Sequence, residues 1–386
     1  MSLKYGFCVL FLLGSIGVQA SSFEDRLIVS NCMLKELKDK AHVLAQSKKF
    51  SLIETTLDNE MLLTLHKNRA ACGKFLNLDS HKKTTPPQKL LKQLTENHTH
   101  SSLTAFTMNH ESQVKQLHQA INPNSIWQTC QHLTSYTNRS AKTQLGITAA
   151  HWYKDHFDAM AREYNRQDVA SYFVETGTRF KQPSVVTVIG KDKTGEALVL
   201  GAHIDTLSGN MPGADDDASG IAVSLEVARV LLSSELRFNR PIYIIAYAAE
   251  EQGLVGSSYV VQSFLDKKIS VKAVMQLDQA GFRANPKDKT IWLLTDYVDN
   301  KLMQFTADLL KQYVQVPVGY TECGYACSDH ANWSAAGFSA TYPSATTLDD
   351  DNPYLHSSED KLEIINLEHM VNFTKLGLAL VAELAS

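Results

Sequence analysis

The sequence lacks the motifs of several common enzyme classes. No GxGxxG follows a predicted strand and no GxxxxGK(S/T) occurs, which argues against a dinucleotide or nucleoside triphosphate as cofactor. No GxSxG elbow occurs, so a serine hydrolase of that type is not indicated. The formal charge is only -4 over 386 residues, of which 44% are apolar. This balance predicts a globular protein and suggests neither nucleic acid nor an anionic membrane as a partner.

Long hydrophobic runs are scarce. The run from Tyr5 to Val18 follows Lys4 and ends in Val18-Gln19-Ala20, which is typical of a cleaved secretory signal. It is too short for a stable membrane anchor, and no later window reaches the roughly 20 apolar residues that a spanning helix needs. We therefore expect residues 1–20 to be removed and the mature protein to be secreted, soluble and monomeric.

Cysteine is sparse as well. Once Cys8 leaves with the signal, five cysteines remain for an oxidising compartment: Cys32, Cys72, Cys130, Cys323 and Cys327. Only three residues separate the last two, which favours a local disulfide. Zinc binding by this pair is disfavoured because no Cys or His pair lies at zinc-finger spacing. The partners of the other three cannot be read from the sequence.

Glycine is nearly absent from the first part of the mature chain. Gly73 is the only glycine between the signal and Gly146, whereas fifteen of the nineteen glycines lie from Gly146 onward. The scarcity of glycine for turns, and the spacing of Leu90, Leu91 and Leu94, predict a helical segment. Such an extension on a secreted enzyme suggests a pro-segment over residues 21–114, which assists folding or covers the site and is later removed.

From residue 115 onward, apolar runs alternate with helical patterns. The predicted strands are Val185–Ile189, Ala197–Ile204, Pro241–Ala249, Val271–Asp278, Thr290–Thr295 and Ser339–Tyr342. The predicted helices are Ile147–Glu163, Ser219–Glu235, Ser257–Lys267, Asn300–Tyr313 and Asn366–Leu384. This alternation predicts an α/β catalytic domain over residues 115–386, with a mostly parallel central sheet flanked by helices on both faces.

Acidic and imidazole groups follow three of these strands, at the edge where such sheets bind ligands. The predicted strand Ala197–Ile204 leads into His203 and Asp205 and is followed by the sequence PGADDDASG at residues 212–220. The other groups at this edge are Asp215, Asp216, Asp217, Glu250, Glu251 and Asp278. Two later histidines, His330 and His356, are equally plausible partners on residue type.

Carboxylates with one or two imidazoles suit a divalent ion, and the number of acids suggests two ions. One carboxylate must stay off the metal to take a proton from water, and the pair Glu250-Glu251 offers both roles. Asp205, two residues after His203, can hold the free ring N–H of that histidine.

The motifs GAHIDT, PGADDDASG, AYAAEEQGLVGS, MQLDQAG, CGYACSDHANW and LHSSED occur in an order and at a spacing that resemble those of the secreted bacterial leucyl aminopeptidases with two zinc ions. The resemblance, which includes LTSYTNR at residues 133–139, runs from about residue 115 to the C-terminus and leaves the N-terminal segment outside. It implies hydrolysis of the first residue of a peptide by zinc-activated water.

The resemblance also implies residue roles. Asp216 would bridge the zinc ions, and Glu250 would be the general base and later the acid. Asp205 would orient His203, and Tyr325 would help to stabilise the oxyanion beside a Cys323–Cys327 disulfide. The terminal zinc ligands would be His203, Glu251, Asp278 and His356.

The pocket for the first side chain departs from the family pattern. Where leucine-preferring relatives are apolar, this chain has Gln279, Ser344 and Asp351, with Asp349 and Asp350 adjacent, and Tyr342 is a further predicted pocket residue. A carboxylate at the wall favours Lys or Arg over Leu, because an unpaired buried charge costs several kcal/mol. The alternatives are a carboxypeptidase or aminoacyl hydrolase on the same zinc scaffold, and a binding ectodomain without catalysis. A carboxypeptidase needs a basic clamp for the free carboxylate of its substrate, and no Arg or Lys cluster lies near the motifs. A binding ectodomain would have incomplete ligand motifs, whereas every ligand position is filled here.

Overall fold

The computed structural model describes residues 25–37, 40–79, 85–95 and 105–386. The predicted signal peptide lies outside these residues. The described chain divides into an N-terminal segment, residues 25–95, and a larger catalytic part that begins at residue 105.

The N-terminal segment is built around a four-stranded antiparallel sheet. Its strands are β1 (Asp25–Ser30), β2 (His42–Gln46), β3 (Phe50–Thr55) and β4 (Leu76–Asn77), in the order β2-β3-β1-β4. Its helices are α1 (Asn31–Leu37), α2 (Asn59–Lys67), α3 (Arg69–Cys72) and α4 (Pro87–Thr95). The helix predicted around Leu90 and Leu91 is present as α4, and both leucines are buried.

The prediction that this segment is simply helical is wrong, because it missed the sheet. The β2–β3 hairpin needs no glycine, since the turn at residues 47–49 keeps negative φ. Instead, the Asn31 side-chain amide donates to the carbonyls of Ser47 and Lys48, at 3.0 and 3.1 Å. A side chain distant in sequence thus satisfies the turn, which composition alone cannot reveal.

The catalytic part contains a six-stranded sheet with a parallel centre. Its strand order is β12-β9-β7-β8-β6-β5. Strands β12, β9, β7 and β8 run parallel, β6 is antiparallel to β8, and β5 is antiparallel to β6. The strands are β5 (Val169–Val174), β6 (Ser184–Ile189), β7 (Ala197–His203), β8 (Ile242–Tyr247), β9 (Val271–Gln276) and β12 (Ala340–Thr341). The predicted α/β class with a mostly parallel centre is confirmed.

Helices cover both faces of this sheet, which explains why its strands are apolar without alternation. Leu198 and Leu200 face the cluster formed with α8 (Gly220–Ser233) and α12 (Leu367–Ala385), whereas Val199 faces α9 (Val255–Asp266) and α11 (His330–Ala335). The other helices are α5 (Glu111–Gln119), α6 (Pro123–Thr134), α7 (Gln144–Glu163) and α10 (Asn300–Leu309).

A second, smaller sheet holds the predicted strand at residues 290–295. It has the order β11-β10-β13, with β10 (Ile291–Leu294), β11 (Val318–Thr321) and β13 (Pro343–Ser344). Strand β13 follows β12 almost directly, so this sheet lies beside the parallel edge of the central sheet.

The N-terminal segment packs against the catalytic part through backbone and apolar contacts. Asn77 N donates to Gly253 O at 2.9 Å, and Leu254 packs in one apolar cluster with Leu76 and Leu78 of the segment. The domain boundary predicted at residue 114 falls inside helix α5. Just before this helix, the backbone amides of Asn109 and His110 donate to the Glu383 carboxylate of α12. In the described part of the chain, no helix combines the length and apolar character required to cross a bilayer.

Candidate metal centre

The predicted site residues meet at one edge of the central sheet. Strands β8, β7 and β9 are parallel neighbours, so the residues that follow them emerge together. His203 ends β7, Glu250 and Glu251 follow β8, and Asp278 follows β9. All four are at most 2% exposed, so the edge forms a buried acidic cluster.

Asp216 joins two groups of side chains in this cluster. Its Oδ1 lies 2.8 Å from His203 Nε2, and its Oδ2 lies 3.1 Å from His356 Nε2. His203 Nε2 is also 3.7 Å from Asp278 Oδ1, and His356 Nε2 is 3.0 Å from Glu251 Oε2. Each imidazole thus faces two carboxylates, and the two oxygens of Asp216 belong to different groups.

The other acids of the DDD run bind backbone amides. Asp215 Oδ1 accepts from Gly281 and Phe282, at 3.0 and 2.8 Å, and Asp217 accepts from the amides of His203 and Gly220, at 3.1 and 2.8 Å. A Cβ on Gly220 would lie 1.8 Å from Leu277 O, so only glycine allows this close approach to β9. Only the middle acid therefore faces the two histidines.

Asp360 and Arg139 hold the acidic loop, and the sequence reasoning gave neither a role. The Asp360 carboxylate accepts the amides of Asp215 and Asp216 at 3.0 and 3.1 Å. The fully buried Arg139 guanidinium donates to the carbonyls of Leu133, Ile204, Pro212 and Gly213. Asp360 lies in the motif LHSSED and Arg139 in the motif LTSYTNR, and the family resemblance of these motifs was the only indication in the sequence that either residue matters.

Asp205 lies between His203 and the two glutamates. His203 Nδ1 is 3.2 Å from the Asp205 carbonyl oxygen and 3.6 Å from its carboxylate. The Asp205 carboxylate accepts the amides of Glu250 and Glu251 at 2.9 and 3.2 Å. Asp205 thereby connects the end of β7 to the loop after β8.

Glu250 points towards a cation from the N-terminal segment. Its Oε1 accepts from Lys74 Nζ at 3.0 Å, and its Oε2 has no hydrogen-bond partner. Burial raises the pKa of Glu250 to about 7, although the Lys74 ammonium acts in the opposite direction. This carboxylate stands apart from the two groups that Asp216 joins, since it belongs to neither.

The predicted side-chain pocket also receives a cation from the segment. Arg69 Nη2 lies 2.8 Å from Asp351 Oδ2, and Gln279 Nε2 donates to Asp351 Oδ1 at 2.9 Å. Tyr342 and Ser344 line the same cavity. Neither Arg69 nor Lys74 was predicted, because no sequence pattern indicates where the segment docks.

The predicted disulfide between Cys323 and Cys327 is present and lines this cavity. Tyr325 between them is 8% exposed, and its hydroxyl has no hydrogen-bond partner. Gly73 of the segment, with φ +82°, lies against its ring, and a Cβ there would meet Tyr325 Cδ1 at 2.8 Å. A further disulfide joins Cys32 to Cys72, and Cys130 is free and buried.

His66 of α2 is a third imidazole at the centre. Its Nδ1 lies 3.2 Å from His356 Nδ1, and its Nε2 donates to the Glu251 carbonyl at 2.9 Å. Burial, reinforced by the neighbouring His356 imidazole, lowers the pKa of His66 to about 3, so the ring is neutral at ordinary pH. His330, the alternative to His356, belongs to neither group and packs on Tyr342.

An α/β sheet with carboxylates and imidazoles gathered at the carboxyl ends of its parallel strands defines a metal-dependent hydrolase. The model of peptidase family M28 matches residues 184–381. Leucine aminopeptidase 1 of Penicillium rubens is 31% identical over 292 residues, which cover 72% of this chain and 76% of that protein. The chain therefore belongs to peptidase family M28 and is a zinc-dependent aminopeptidase.

Two solved structures resemble nearly the whole chain. LapB from Legionella pneumophila has 63% identity and a TM-score of 0.90, covering 94% of this chain and 99% of that one. The LapA aminopeptidase of Legionella pneumophila has 45% identity and a TM-score of 0.88, covering 94% and 98%. Matches of this extent include the N-terminal segment, which the sequence resemblance had left outside.

Proposed function

We propose that the protein is a secreted aminopeptidase that uses two zinc ions, prefers peptides beginning with Lys or Arg, and is made as a precursor. The signal would be residues 1–20, the pro-segment residues 21–114 and the catalytic domain residues 115–386. The observation that carries the two-ion centre is the placement of the two Asp216 oxygens, each opposite a different histidine.

The side chains fit two zinc ions. His203 with Asp278 would hold one ion and His356 with Glu251 the other, and Asp216 would bridge them. Asp278 Oδ1, Glu251 Oε2 and His356 Nε2 are buried and make no hydrogen bond, although they face polar atoms of the same cluster. Nitrogen and oxygen donors of this kind suit zinc.

Bound zinc would supply Lewis acidity towards the scissile carbonyl and the attacking water. Glu250 would take the proton of the water and later give it to the leaving amine, because its Oε2 has no hydrogen-bond partner and the residue belongs to neither group. Ser328 would fix Asp278, whose Oδ2 accepts its hydroxyl at 2.6 Å. Tyr325, with an unpartnered hydroxyl, would stabilise the oxyanion.

The preference for Lys or Arg is supported by Arg69. Its guanidinium lines the predicted side-chain pocket and pairs with Asp351, which supports a basic partner for this carboxylate. Once Arg69 has left, the Asp351 carboxylate needs another cation. A leucine side chain would leave it unpaired, whereas a substrate Lys or Arg would replace Arg69.

Metal analysis of the purified chain, combined with Glu250→Ala, tests the centre. We expect two zinc ions in both proteins, and almost no turnover by the variant after processing. Loss of an ion on substitution would make Glu250 a ligand and would contradict its role as base.

Hydrolysis of lysyl, arginyl and leucyl anilides tests the pocket. Asp351→Ala should lower kcat/KM for the basic substrates by at least about tenfold, which corresponds to 1.4 kcal/mol, and should spare the leucyl substrate. Asp350→Ala, at an exposed neighbouring acid, is the matched control. A leucine preference that Asp351→Ala leaves unchanged would rule the idea out.

A further inference from the structure

One side chain of the N-terminal segment contacts two of the proposed zinc ligands without any role in the proposed reaction. His66 is 8% exposed, and its ring lies edge-on to His356, with ring centroids 4.3 Å apart. Its polar contacts are His356 Nδ1 at 3.2 Å, the Glu251 carbonyl at 2.9 Å and Glu251 Oε2 at 3.7 Å. The histidine therefore lies behind the ligands, on the side of the segment.

The hydrogen bonds assign the protons of both rings. A carbonyl oxygen only accepts, so His66 Nε2 carries a proton and the Nδ1 of the neutral ring is a lone pair. The short distance between the two Nδ1 atoms then requires the proton to be on His356. With the proton held at Nδ1, Nε2 is the atom of His356 that can give a lone pair to a metal ion, and this atom faces Asp216 and Glu251.

His203 and His356 differ in which part of the chain provides the partner of the ring nitrogen that faces away from the centre. The outer nitrogen of His203 faces the carbonyl of Asp205, two residues away in the same loop. The outer nitrogen of His356 instead faces His66, which is 290 residues away and belongs to the segment. One half of the centre is thus supported from within the catalytic part, and the other half depends on the docked segment.

We propose that His66 is a positioning residue for metal binding, which holds His356 in the tautomer and orientation that bind zinc. The proposal rests on the proposed two-ion centre. Partners of this kind on ligating histidines typically change metal affinity by about 10- to 100-fold. The N-terminal segment therefore helps to load the ion held by His356, besides covering the site. By linkage, that ion also tightens the docking of the segment.

Two substitutions separate this role from packing. The amide of His66→Asn falls near Nδ1 and can still accept from His356, whereas the amide of His66→Gln falls near Nε2 and keeps only the bond to Glu251. The measurement is the cobalt(II) affinity of the uncut chain, by titration against a competing chelator. The ion bound by His203 serves as an internal control for correct folding.

We expect two ions in the wild-type chain. In His66→Gln, one ion should bind about 10- to 100-fold more weakly and the other unchanged, and His66→Asn should resemble the wild type. Unchanged affinity in His66→Gln, equal weakening by both substitutions, or equal weakening of both ions would overturn the role of His66. Binding of fewer than two ions by the wild-type chain would instead overturn the two-ion centre, and this proposal with it.

Discussion

At the scale of single residues, buried acids of the site are neutralised by cations from a distant part of the chain. Lys74 pairs with Glu250, with side chains 8% and 0% exposed, and Arg69 pairs with Asp351, with 11% and 16% exposed. A buried charge without a partner is costly, so each pair holds the N-terminal segment in place. In the proposed function, the same two carboxylates take the proton of the water and bind the substrate side chain.

Lys74→Met should therefore weaken the covering of the site. Because the variant leaves the buried Glu250 carboxylate without its cation, the segment should dock less tightly, and the uncut chain should hydrolyse a lysyl anilide at least about tenfold faster, equivalent to 1.4 kcal/mol of docking energy. The control is Lys48→Met, at an exposed lysine of the same segment. Equal rates for the two uncut variants would show that Lys74 does not contribute to inhibition.

Arg139→Lys should destabilise the acidic loop. An ammonium cannot reproduce the planar fork that serves four carbonyls from three stretches of chain. We expect the free energy of unfolding to fall by about 3 kcal/mol, the value typical of losing one or two charged hydrogen bonds. Urea denaturation measures this change. A loss below about 0.5 kcal/mol, as at ordinary surface positions, would mean that the loop is held by Asp360 alone.

At the scale of secondary-structure elements, strands buried on both faces were predictable and half-buried ones were not. The runs that became β7, β8 and β9 are mostly apolar, so their positions followed from the sequence within two residues. Strand β5 was missed because each of its residues is half-buried, so no alternation of apolar and polar residues marks it. The small sheet of the segment was missed because its hairpin is closed by Asn31.

The disulfide between α1 and α3 should control how firmly the segment blocks the site. It closes a loop with a sequence separation of 40 and fixes the helix that carries Arg69. Removing such a crosslink costs about 4 kcal/mol in the chain-entropy model. The double variant Cys32→Ser, Cys72→Ser should raise the activity of the uncut chain. After processing it should match the processed wild type, since both cysteines leave with the segment; a difference at that stage would refute this explanation.

At the scale of the whole molecule, the candidate site combines residues that the sequence could and could not reveal. The carboxylates and His203 follow predicted strands, so the edge at which they meet was foreseeable from the parallel topology. The choice of His356 over His330 came from family resemblance and not from physical reasoning. His66, Lys74 and Arg69 were missed because their positions depend on how the N-terminal segment packs against the catalytic part.

Removal of zinc should lower the stability of the whole chain. Asp216, Glu251 and Asp278 are each at most 3% exposed, and without ions their charges repel one another in a buried space. A ligand present at 1,000 times its dissociation constant stabilises a protein by about 4 kcal/mol. A strong chelator should therefore lower the Tm measured by calorimetry, and added zinc should restore it. An unchanged Tm would indicate that these carboxylates bind no ion.

Among the described residues, each crosslink lies on one side of the junction between the two parts: Cys32 with Cys72 in the N-terminal segment, and Cys323 with Cys327 in the catalytic part. A single peptide-bond cleavage between them therefore leaves no covalent tether. Under the proposed function, whether the severed piece stays bound then depends on its affinity, on dilution and on competition from incoming peptides, so the concentration of substrate sets how quickly the newly cut enzyme starts to work.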